Sequence, residues 1–207
     1  ADAVHAARRA VPAWRALSLE ERVVHLRRLR DVLKAHEDAL ADVMCREMGK
    51  PLREARLEAR ALVNKIDLTI DEGLGLVAGF ERDGGKLRTV FRPHGVLAVI
   101  GPFNFPLHLA HGHIAPALLL GNTVVFKPSD LTPFSGLLYA RLCAEAGLPP
   151  GVVNAVTGDA RTGAALVDHA DVDGVLFTGS YGVGQAIARR SLEVRPDRVV
   201  ALELGGK

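Results

Sequence analysis

The sequence predicts an α/β fold in which a helical amino-terminal region precedes a doubly wound, mainly parallel sheet of five strands. Up to about residue 80, apolar residues recur at helical spacing between charged ones. From residue 95 onward, short apolar runs rich in β-branched residues alternate with helical stretches. Strands that are buried on both faces read as such continuous runs, and their alternation with helices is typical of a parallel sheet.

The first helical segment has a clear start and a clear end. Ser18 and Glu21 form the S-x-x-E pattern of a capping box, in which each side chain bonds the backbone N–H of the other residue. Gly49, followed by Pro51, predicts the helix end. One face of this helix is apolar and carries Val23, Leu26, Leu29, Leu33 and Leu40. A second helix is expected at residues 52–73.

Residues 81–94 have a different pattern, which predicts a small β-hairpin. The turn signal is Asp83-Gly84-Gly85, and Leu87, Thr89 and Phe91 then alternate with basic residues. A hairpin with one polar face, standing between two structured regions, suits pairing with another subunit. We therefore expect an oligomerisation arm here.

The carboxyl-terminal half contains the sheet. Strands are predicted at residues 96–100, 123–126, 152–156, 174–177 and 199–202, and helices near 114–120, 133–146, 162–169 and 183–192. Right-handed crossovers between parallel strands make the domain doubly wound. In such sheets ligands bind beyond the carboxyl ends of the strands, so residues at those ends are the first candidates for a site.

Composition excludes several classes of protein. The 207 residues are 48% hydrophobic and carry a formal net charge of +2, which suits a globular chain and argues against dedicated nucleic-acid or membrane-surface binding. No apolar run approaches the ~18 residues that span a bilayer, and no secretory leader is evident. Cys45 and Cys143 are far apart without CxxC spacing, so we expect no disulfide framework and a cytoplasmic location.

Two strand ends carry polar residues between prolines. The segment 101–106 places Asn104 between Pro102 and Pro106, where its amide could donate to a developing oxyanion or could instead satisfy its own loop. The segment 126–130 contains Lys127 and Asp130, three positions apart. These could bind phosphate or ribose oxygens, or form a solvated surface ion pair, and spacing alone leaves both pairs of alternatives open.

Two later strand ends carry glycines. The loop 177–184 includes Gly179 and Gly184, and a glycine-rich turn before a helix suits a pyrophosphate or simply close packing. Glu203 ends the last apolar run, just before Gly205. It could act as a general base in a cleft or be an exposed carboxylate at the sheet edge.

Three histidines and the two cysteines are the other candidates for reactive groups. His108, His111 and His113 match no HExxH spacing and have no neighbouring cysteine or carboxylate in the sequence, so we expect polar contacts at a helix start and no metal site. Cys45 and Cys143 lie in amphipathic helical segments and are expected to be structural thiols.

Taken together, the strand-end segments resemble the aldehyde dehydrogenase superfamily. The four motifs are GPFNFP at 101–106, FKPS at 126–129, FTGS at 177–180 and ELGGK at 203–207, in the family's order and spacing. Within the superfamily, segments 64–66, 92–96 and 113–118 are most similar to the N-succinylglutamate semialdehyde dehydrogenases of arginine breakdown. The resemblance implies NAD(P)-dependent oxidation of a small-molecule aldehyde, here succinylglutamate semialdehyde, to a carboxylic acid.

The resemblance also implies roles for the matching residues. Asn104 would supply the oxyanion-hole amide, and Glu203 would activate the water that hydrolyses the thioester. The expected cofactor-binding residues are Pro102, Phe103, Lys127, Ser129, Asp130, Gly158, Gly179, Ser180, Gly184, Leu204 and Gly205. NAD is the expected cofactor. Because most NAD-preferring members carry glutamate where this chain has Asp130, NADP is the alternative.

The resemblance further implies that a catalytic domain follows ELGGK and holds the nucleophilic cysteine. Neither Cys45 nor Cys143 falls in that motif. We therefore expect a cofactor-binding portion, inactive alone, of a homodimeric or homotetrameric enzyme. Its expected parts are amino-terminal helices at 1–80, the hairpin arm at 81–94 and a Rossmann-like domain at 95–207. The alternative is a non-catalytic nucleotide-binding or oligomerisation module.

Overall fold

Four helices build the amino-terminal region of the computed structural model, which describes residues 1–205. They are α1 (Asp2–Ala16), α2 (Leu19–Ala35), α3 (Glu37–Met48) and α4 (Leu52–Asp71). The predicted capping box is confirmed, because the Glu21 amide donates to Ser18 Oγ at 3.1 Å and the Ser18 amide donates to the Glu21 carboxylate at 2.6 Å. Gly49 ends α3 in the left-handed region, at φ 70°, as its position predicts.

The helix predicted after Ser18 is two helices, because the chain breaks at His36. There φ is −111° and ψ 18°, and the His36 amide bonds the carbonyls of Val32 and Leu33. The His36 ring occupies the same helix end, with Nδ1 2.9 Å from the Val32 carbonyl oxygen. Leu33 and Leu40 are both fully buried on either side of the break, so the apolar pattern runs through it unchanged. Spacing alone therefore could not reveal it.

The predicted hairpin is present but shorter than expected. Strands β1 (Phe80–Arg82) and β2 (Leu87–Thr89) pair antiparallel, and Asp83–Gly85 forms the turn between them. The predicted second helix, α4, ends two residues before its expected end, and a short 3₁₀ helix, Gly73–Val77, lies between it and the hairpin. Leu87 is 63% exposed, so the hairpin presents apolar surface to its surroundings.

Five parallel strands form the sheet, in the order β5-β4-β3-β6-β7. Their bounds are β3 (Val96–Ile100), β4 (Thr123–Lys127), β5 (Val153–Ala155), β6 (Gly174–Gly179) and β7 (Val199–Leu204). All five lie where the apolar runs predict them. Ile100 is in register with both Lys127 and Phe177, so the loops that follow β3, β4 and β6 leave the sheet at one edge.

Helices cover both faces of the sheet. The crossovers are α5 (His108–Leu119), α6 (Pro133–Glu145), α7 (Ala160–Asp168) and α8 (Tyr181–Val194). Leu97 and Val99 pack on the face covered by α2 to α6, whereas Val96, Ala98 and Ile100 pack on the face covered by α1, α7 and α8. The doubly wound architecture is thus confirmed. In the described part of the chain, no helix has the length and apolarity that crossing a membrane requires.

Candidate cofactor and active site

A pocket of about 640 Å³ opens at the carboxyl edge of the sheet. The ends of β3 and β4 contribute Gly101, Lys127, Ser129 and Asp130 to its lining, and α7 and α8 form the opposite wall. Its volume is in the range of small-molecule and cofactor sites. The pocket lies beside the point where the crossovers from β3 and β6 leave toward opposite sides of the sheet, which is the usual ligand position in open parallel sheets.

Lys127 reaches this pocket as a buried cation. Its ammonium donates to the Pro128 carbonyl at 3.0 Å, and its side chain is almost fully enclosed. Burial lowers the pKa of Lys127, while the carboxylates of Asp130 and Asp159 oppose that shift. Lys127 is therefore not part of a solvated surface pair. Asp130 is exposed at the rim, where it accepts a hydrogen bond from Ser129 Oγ at 3.3 Å.

The amino terminus of α8 forms the second polar feature of the pocket. Ser180 is the N-cap residue, but its side chain makes no capping hydrogen bond. The first backbone N–H groups of a helix have no intrahelical acceptor, and the helix dipole makes this end attractive to anions. Gly182 and Val183, in the first turn, line the pocket. The uncapped helix end is thus directed at the same space as Lys127.

Three of the four glycines predicted to contact a cofactor, all but Gly205, have a packing reason to be glycine. A Cβ on Gly179 would lie 2.4 Å from the Phe177 ring, and one on Gly184 would lie 2.3 Å from Leu204. Gly158 has φ 145°, and a Cβ there would meet Thr162 Oγ1 at 2.1 Å. The glycine that opens freely into the pocket is Gly182, which the sequence motifs did not single out.

Other lining residues of the pocket could not be predicted from the sequence, because they lie on helices and not in loop motifs. They are Ala160, Gly163, Ala164, Val167, Asp168, Val183, Ala186, Ile187 and Arg190. Apolar and small residues on α7 and α8 are expected from helix packing alone, so nothing in their spacing marks them as lining. Only the crossing of these two helices over the strand ends makes them part of a site.

Glu203, at the end of β7, lies in a polar cluster with residues of two other elements. Thr178 Oγ1 donates to Glu203 Oε2 at 3.4 Å, and His113 Nε2 lies 3.3 Å from Thr178 Oγ1 and 3.7 Å from Glu203 Oε1. Burial lowers the pKa of His113, and the Glu203 carboxylate opposes the shift. The Glu203 side chain is thus 58% exposed, and each of its two oxygens lies beside a polar neighbour, unlike a lone edge carboxylate.

Leu204 and Gly205 continue the strand beside this cluster. Leu204 packs against Gly184, and the Gly205 amide donates to the Gly179 carbonyl at 2.9 Å. The strand end and the glycine loop are therefore joined by backbone pairing. Gly206 and Lys207, the rest of the ELGGK segment, lie outside the described residues.

Asn104 lies at the bend between β3 and α5, with its side chain exposed. Pro102 before it is partly buried, and Phe103 is 50% exposed. The bend thus presents an amide and an aromatic ring at the sheet edge that also carries Lys127 and the end of β6.

A buried ion pair, Lys50 with Glu58, holds the end of this bend in place. Glu58 on α4 accepts hydrogen bonds from the backbone N–H groups of Leu107 at 3.1 Å and His108 at 3.0 Å, and Lys50 bonds its other carboxylate oxygen at 2.5 Å. The Lys50 ammonium also lies 3.9 Å from the centre of the Phe105 ring. Glu58 caps α5, which explains why that helix begins six residues before the predicted start. A glutamate on the apolar face of α4 was the feature of the sequence that could have indicated this cap.

Comparison with known proteins decides the family. The aldehyde dehydrogenase family profile matches residues 1–207, the whole length of the sequence. The chain belongs to the aldehyde dehydrogenase family. N-succinylglutamate 5-semialdehyde dehydrogenases of Escherichia coli O9:H4 (strain HS) and Shigella flexneri are 48% identical to it over 208 residues. These alignments cover 99% of the chain and 42% of each relative, so the chain spans less than half the length of these relatives.

Solved structures of aldehyde dehydrogenases have the same fold. An E. coli NADP-dependent enzyme superposes with a TM-score of 0.91 at 39% identity, covering 99% of this chain and 43% of that one. An aldehyde dehydrogenase C variant of Pseudomonas syringae, solved with NAD⁺ and octanal, has a TM-score of 0.92 at 36% identity and covers 99% and 42%. The helical region and the five-stranded sheet are thus shared with known members.

His111 and Cys143 have structural positions in this aldehyde dehydrogenase chain. His111 is fully buried, with Nε2 3.0 Å from the Leu62 carbonyl and Nδ1 2.7 Å from the Tyr139 hydroxyl. Burial lowers the pKa of His111 to about 3 and raises that of the Cys143 thiol to about 12. Both nitrogens of His111 are engaged, so the ring is not available as a metal ligand. Cys143 is protonated and enclosed, as expected of a structural thiol.

Proposed function

We propose that this chain is the cofactor-binding portion of an NAD(P)-dependent aldehyde dehydrogenase that converts an aldehyde to a carboxylic acid. The observation that carries the proposal is the pocket in which the buried Lys127 ammonium and the uncapped amino terminus of α8 converge. N-succinylglutamate 5-semialdehyde is the proposed substrate, because relatives at 48% identity carry that name.

The polar groups of the pocket fit a dinucleotide. The Lys127 ammonium would bind ribose or phosphate oxygens, Asp130 would accept from ribose hydroxyls, and the α8 amino terminus would hold the pyrophosphate. When bound, NAD(P)⁺ would supply the hydride acceptor. One solved neighbour is described as NADP dependent and another was solved with NAD⁺, which supports the NAD(P) class. Asp130, shorter than glutamate, makes NAD a preference with NADP as the alternative.

The remaining predicted cofactor contacts belong to the same proposal. Ser129 lines the pocket, Ser180 is the N-cap residue of α8, whose first turn lines it, and Pro102 and Phe103 border the Asn104 bend. Gly158, Gly179, Gly184, Leu204 and Gly205 would shape the backbone around the dinucleotide rather than contact it through side chains. Each of these residues is proposed by its place at the carboxyl edge of the sheet.

Two residues of this chain, Asn104 and Glu203, would act directly in the proposed reaction. The Asn104 amide would donate to the aldehyde oxygen as that oxygen gains negative charge, which lowers the barrier most where water is excluded. Glu203 would take a proton from the water that releases the acid. Thr178 and His113 would orient the Glu203 carboxylate for that transfer, because each lies beside one of its two oxygens while the side chain stays 58% exposed.

The hairpin arm, predicted at 81–94, is proposed to join subunits into a homodimer or homotetramer. Phe80 and Leu87 of the hairpin and Phe91 just after it are 46%, 63% and 52% exposed, so this segment presents three large apolar side chains to water. Burial of these side chains against a second subunit would remove that surface from water.

Replacement of Glu203 in the complete enzyme tests the proposal. Glu203→Gln should lower kcat for N-succinylglutamate 5-semialdehyde with NAD⁺ by at least about 100-fold, since general-base catalysis contributes that order of magnitude. The KM for NAD⁺ should change little. Glu193→Gln, at an exposed glutamate of α8, is the control and should keep the wild-type kcat. A Glu203→Gln enzyme with undiminished turnover would exclude Glu203 as the base.

A further inference from the structure

A cluster of side chains that can bind a metal ion lies at the amino edge of the sheet, opposite the proposed cofactor pocket. His5 of α1 meets His169 and Asp171 of the loop that joins α7 to β6, residues 169–173. Each of the three residues offers one ligand atom, and these atoms all lie within 4.8 Å of one another. Strand β6 begins directly after the loop, beside the starts of β3 and β7. The cluster is therefore separate from the residues of the proposed reaction.

The α7–β6 loop is fixed by arginines that bond its backbone. Three of them each donate to one carbonyl of the loop: Arg8 to Asp171 at 2.5 Å, Arg195 to Ala170 at 3.0 Å and Arg198 to His169 at 3.1 Å. Arg8 lies on α1 three residues after His5, and it also donates to the Asp173 carboxylate at 2.7 Å. These bonds hold α1 against the loop beside the cluster. Ligands that are already held in position lose little conformational freedom when an ion binds.

The His169 ring has an electron pair that an ion can use. The Asp171 amide donates to His169 Nδ1 at 3.1 Å, so this nitrogen carries no proton. Burial lowers the pKa of His169, and the charges of His5 and Arg198 add to this shift while the Asp171 carboxylate opposes it. The ring is therefore neutral at pH 7.5, which is the form that binds transition metals. An ion on Nδ1 would replace the Asp171 amide, which can then bond water because Asp171 is only half-buried.

The Asp171 carboxylate is an uncommitted negative charge beside the two rings. It has no ion-pair partner among residues 1–205, and Arg8 and Arg195 pair with the carboxylate of Asp173 instead. The His5 ring is in edge contact with the His169 ring, at 5.5 Å between ring centres. His5 is otherwise exposed on α1. A cation at this position thus meets two imidazole rings and one free carboxylate.

We propose that His5, His169 and Asp171 bind a divalent transition-metal ion such as Zn²⁺. Two imidazole nitrogens and one carboxylate oxygen are a ligand set that Zn²⁺ uses in proteins, with water as the fourth ligand. Mg²⁺ prefers oxygen ligands and suits this set poorly. The ion joins α1 to the α7–β6 loop, so it stabilises the packing of α1 and takes no part in chemistry at the carboxyl edge. The site is independent of the proposed dehydrogenase function.

Calorimetric titration of the metal-free chain with ZnCl₂ at pH 7.5 tests this site. The wild type should bind one Zn²⁺ per chain in its tightest step. His169→Gln and His5→Gln should each weaken that step at least about tenfold, because even the loss of a residue that only orients a ligand costs that much. His94→Gln, at an exposed histidine outside the cluster, is the control and should bind as the wild type does. An equal concentration of MgCl₂ should not compete.

Thermal unfolding provides a second measurement and shows that each variant is folded. Zn²⁺ at about ten times its dissociation constant should raise the wild-type Tm by about 3–5 °C. The same concentration should leave the Tm of His169→Gln almost unchanged. The site is excluded if the wild type binds no Zn²⁺ in a saturable step, or if His5→Gln and His169→Gln bind it with wild-type affinity. Because His5 is exposed, His5→Gln keeps the test valid even if His169→Gln fails to fold.

Discussion

At the scale of single residues, His111 shows how burial fixes a protonation state. The Leu62 carbonyl accepts a hydrogen bond from Nε2–H, so Nδ1 of the neutral ring accepts a hydrogen bond from the Tyr139 hydroxyl. A second ring proton would have to be buried opposite that hydroxyl. Burial is the largest cause of the lowered pKa, about 3, and the Leu62 carbonyl only partly offsets it. His111 is thus a neutral link between α4, α5 and α6.

This neutral state predicts acid sensitivity. Because the folded pKa is about 3 and the unfolded value is about 6.5, the unfolded state binds more protons between these limits. The stability that the neutral His111 ring gives the folded state is complete above about pH 6.5. It is lost as pH falls toward 3, by roughly 1.4 kcal/mol per pH unit. Urea unfolding at pH 7.5 and 5.0 should show a loss smaller by about 2 kcal/mol in His111→Gln than in the wild type.

The matched control for that experiment is His94→Gln, at an exposed histidine before β3. This variant should retain the wild-type difference between the two pH values. If His111→Gln lost as much stability on acidification as the wild type, the buried ring would not be the group that titrates.

At the scale of elements, the buried pair of Lys50 and Glu58 connects α4 to the start of α5. Glu58 accepts from two backbone amides as well as from Lys50, so its removal leaves a buried ammonium and two N–H groups unpaired. Such losses are far larger than those of surface pairs. The Asn104 bend depends on this brace because it precedes the capped helix end directly.

Glu58→Gln should therefore lower the free energy of unfolding by about 3 kcal/mol. Glu54→Gln, at an exposed position one turn earlier on α4, should change it by less than about 0.5 kcal/mol. Urea denaturation measures both variants; the glutamine oxygen can still accept from the Leu107 and His108 amides, so the expected loss is that of the buried Lys50 ammonium left without its carboxylate. Equal stability of the two variants would mean that the brace contributes little to the fold.

The first turn of α8 offers a matched pair of glycines. A Cβ on Gly184 would overlap Leu204 of β7, whereas one on Gly182 meets no heavy atom within 4 Å. Gly184→Ala should thus destabilise the fold by about 1–3 kcal/mol through overpacking. Gly182→Ala should be neutral or stabilising by up to about 1 kcal/mol, since alanine favours helix. Thermal unfolding compares the two, and the reverse order would contradict the packing of α8 on β7.

Elements were more predictable from this sequence than their contacts. The positions of all five sheet strands are predicted by apolar runs such as 96–100. A strand that is buried on both faces has no polar positions, so its sequence is a continuous apolar run. The break at His36 was not predictable, since Leu33 and Leu40 stay on one apolar face. Nor was the pairing of His113 with Glu203, which depends on residues far apart in sequence.

At the scale of the whole molecule, the two faces of the sheet have different roles. One face packs against α2 to α6 and includes the braced bend with Asn104, and the other packs against α1, α7 and α8 and includes the wall of the large pocket. Position along the strands predicted which residues reach the carboxyl edge. It could not predict that Gly182, rather than Gly179 or Gly184, opens into the pocket, because that depends on how α8 crosses β7.

We propose that the pocket at the carboxyl edge binds a nicotinamide dinucleotide, and calorimetric titration with NAD⁺ is the decisive measurement. The wild-type chain should bind NAD⁺, and Gly182→Leu should weaken binding at least about tenfold, because the added side chain enters open space in the pocket. Gly75→Leu, at an equally open glycine outside the pocket, should bind as the wild type does. Equal affinity of NAD⁺ for both variants, or no binding to the wild type, would contradict the account.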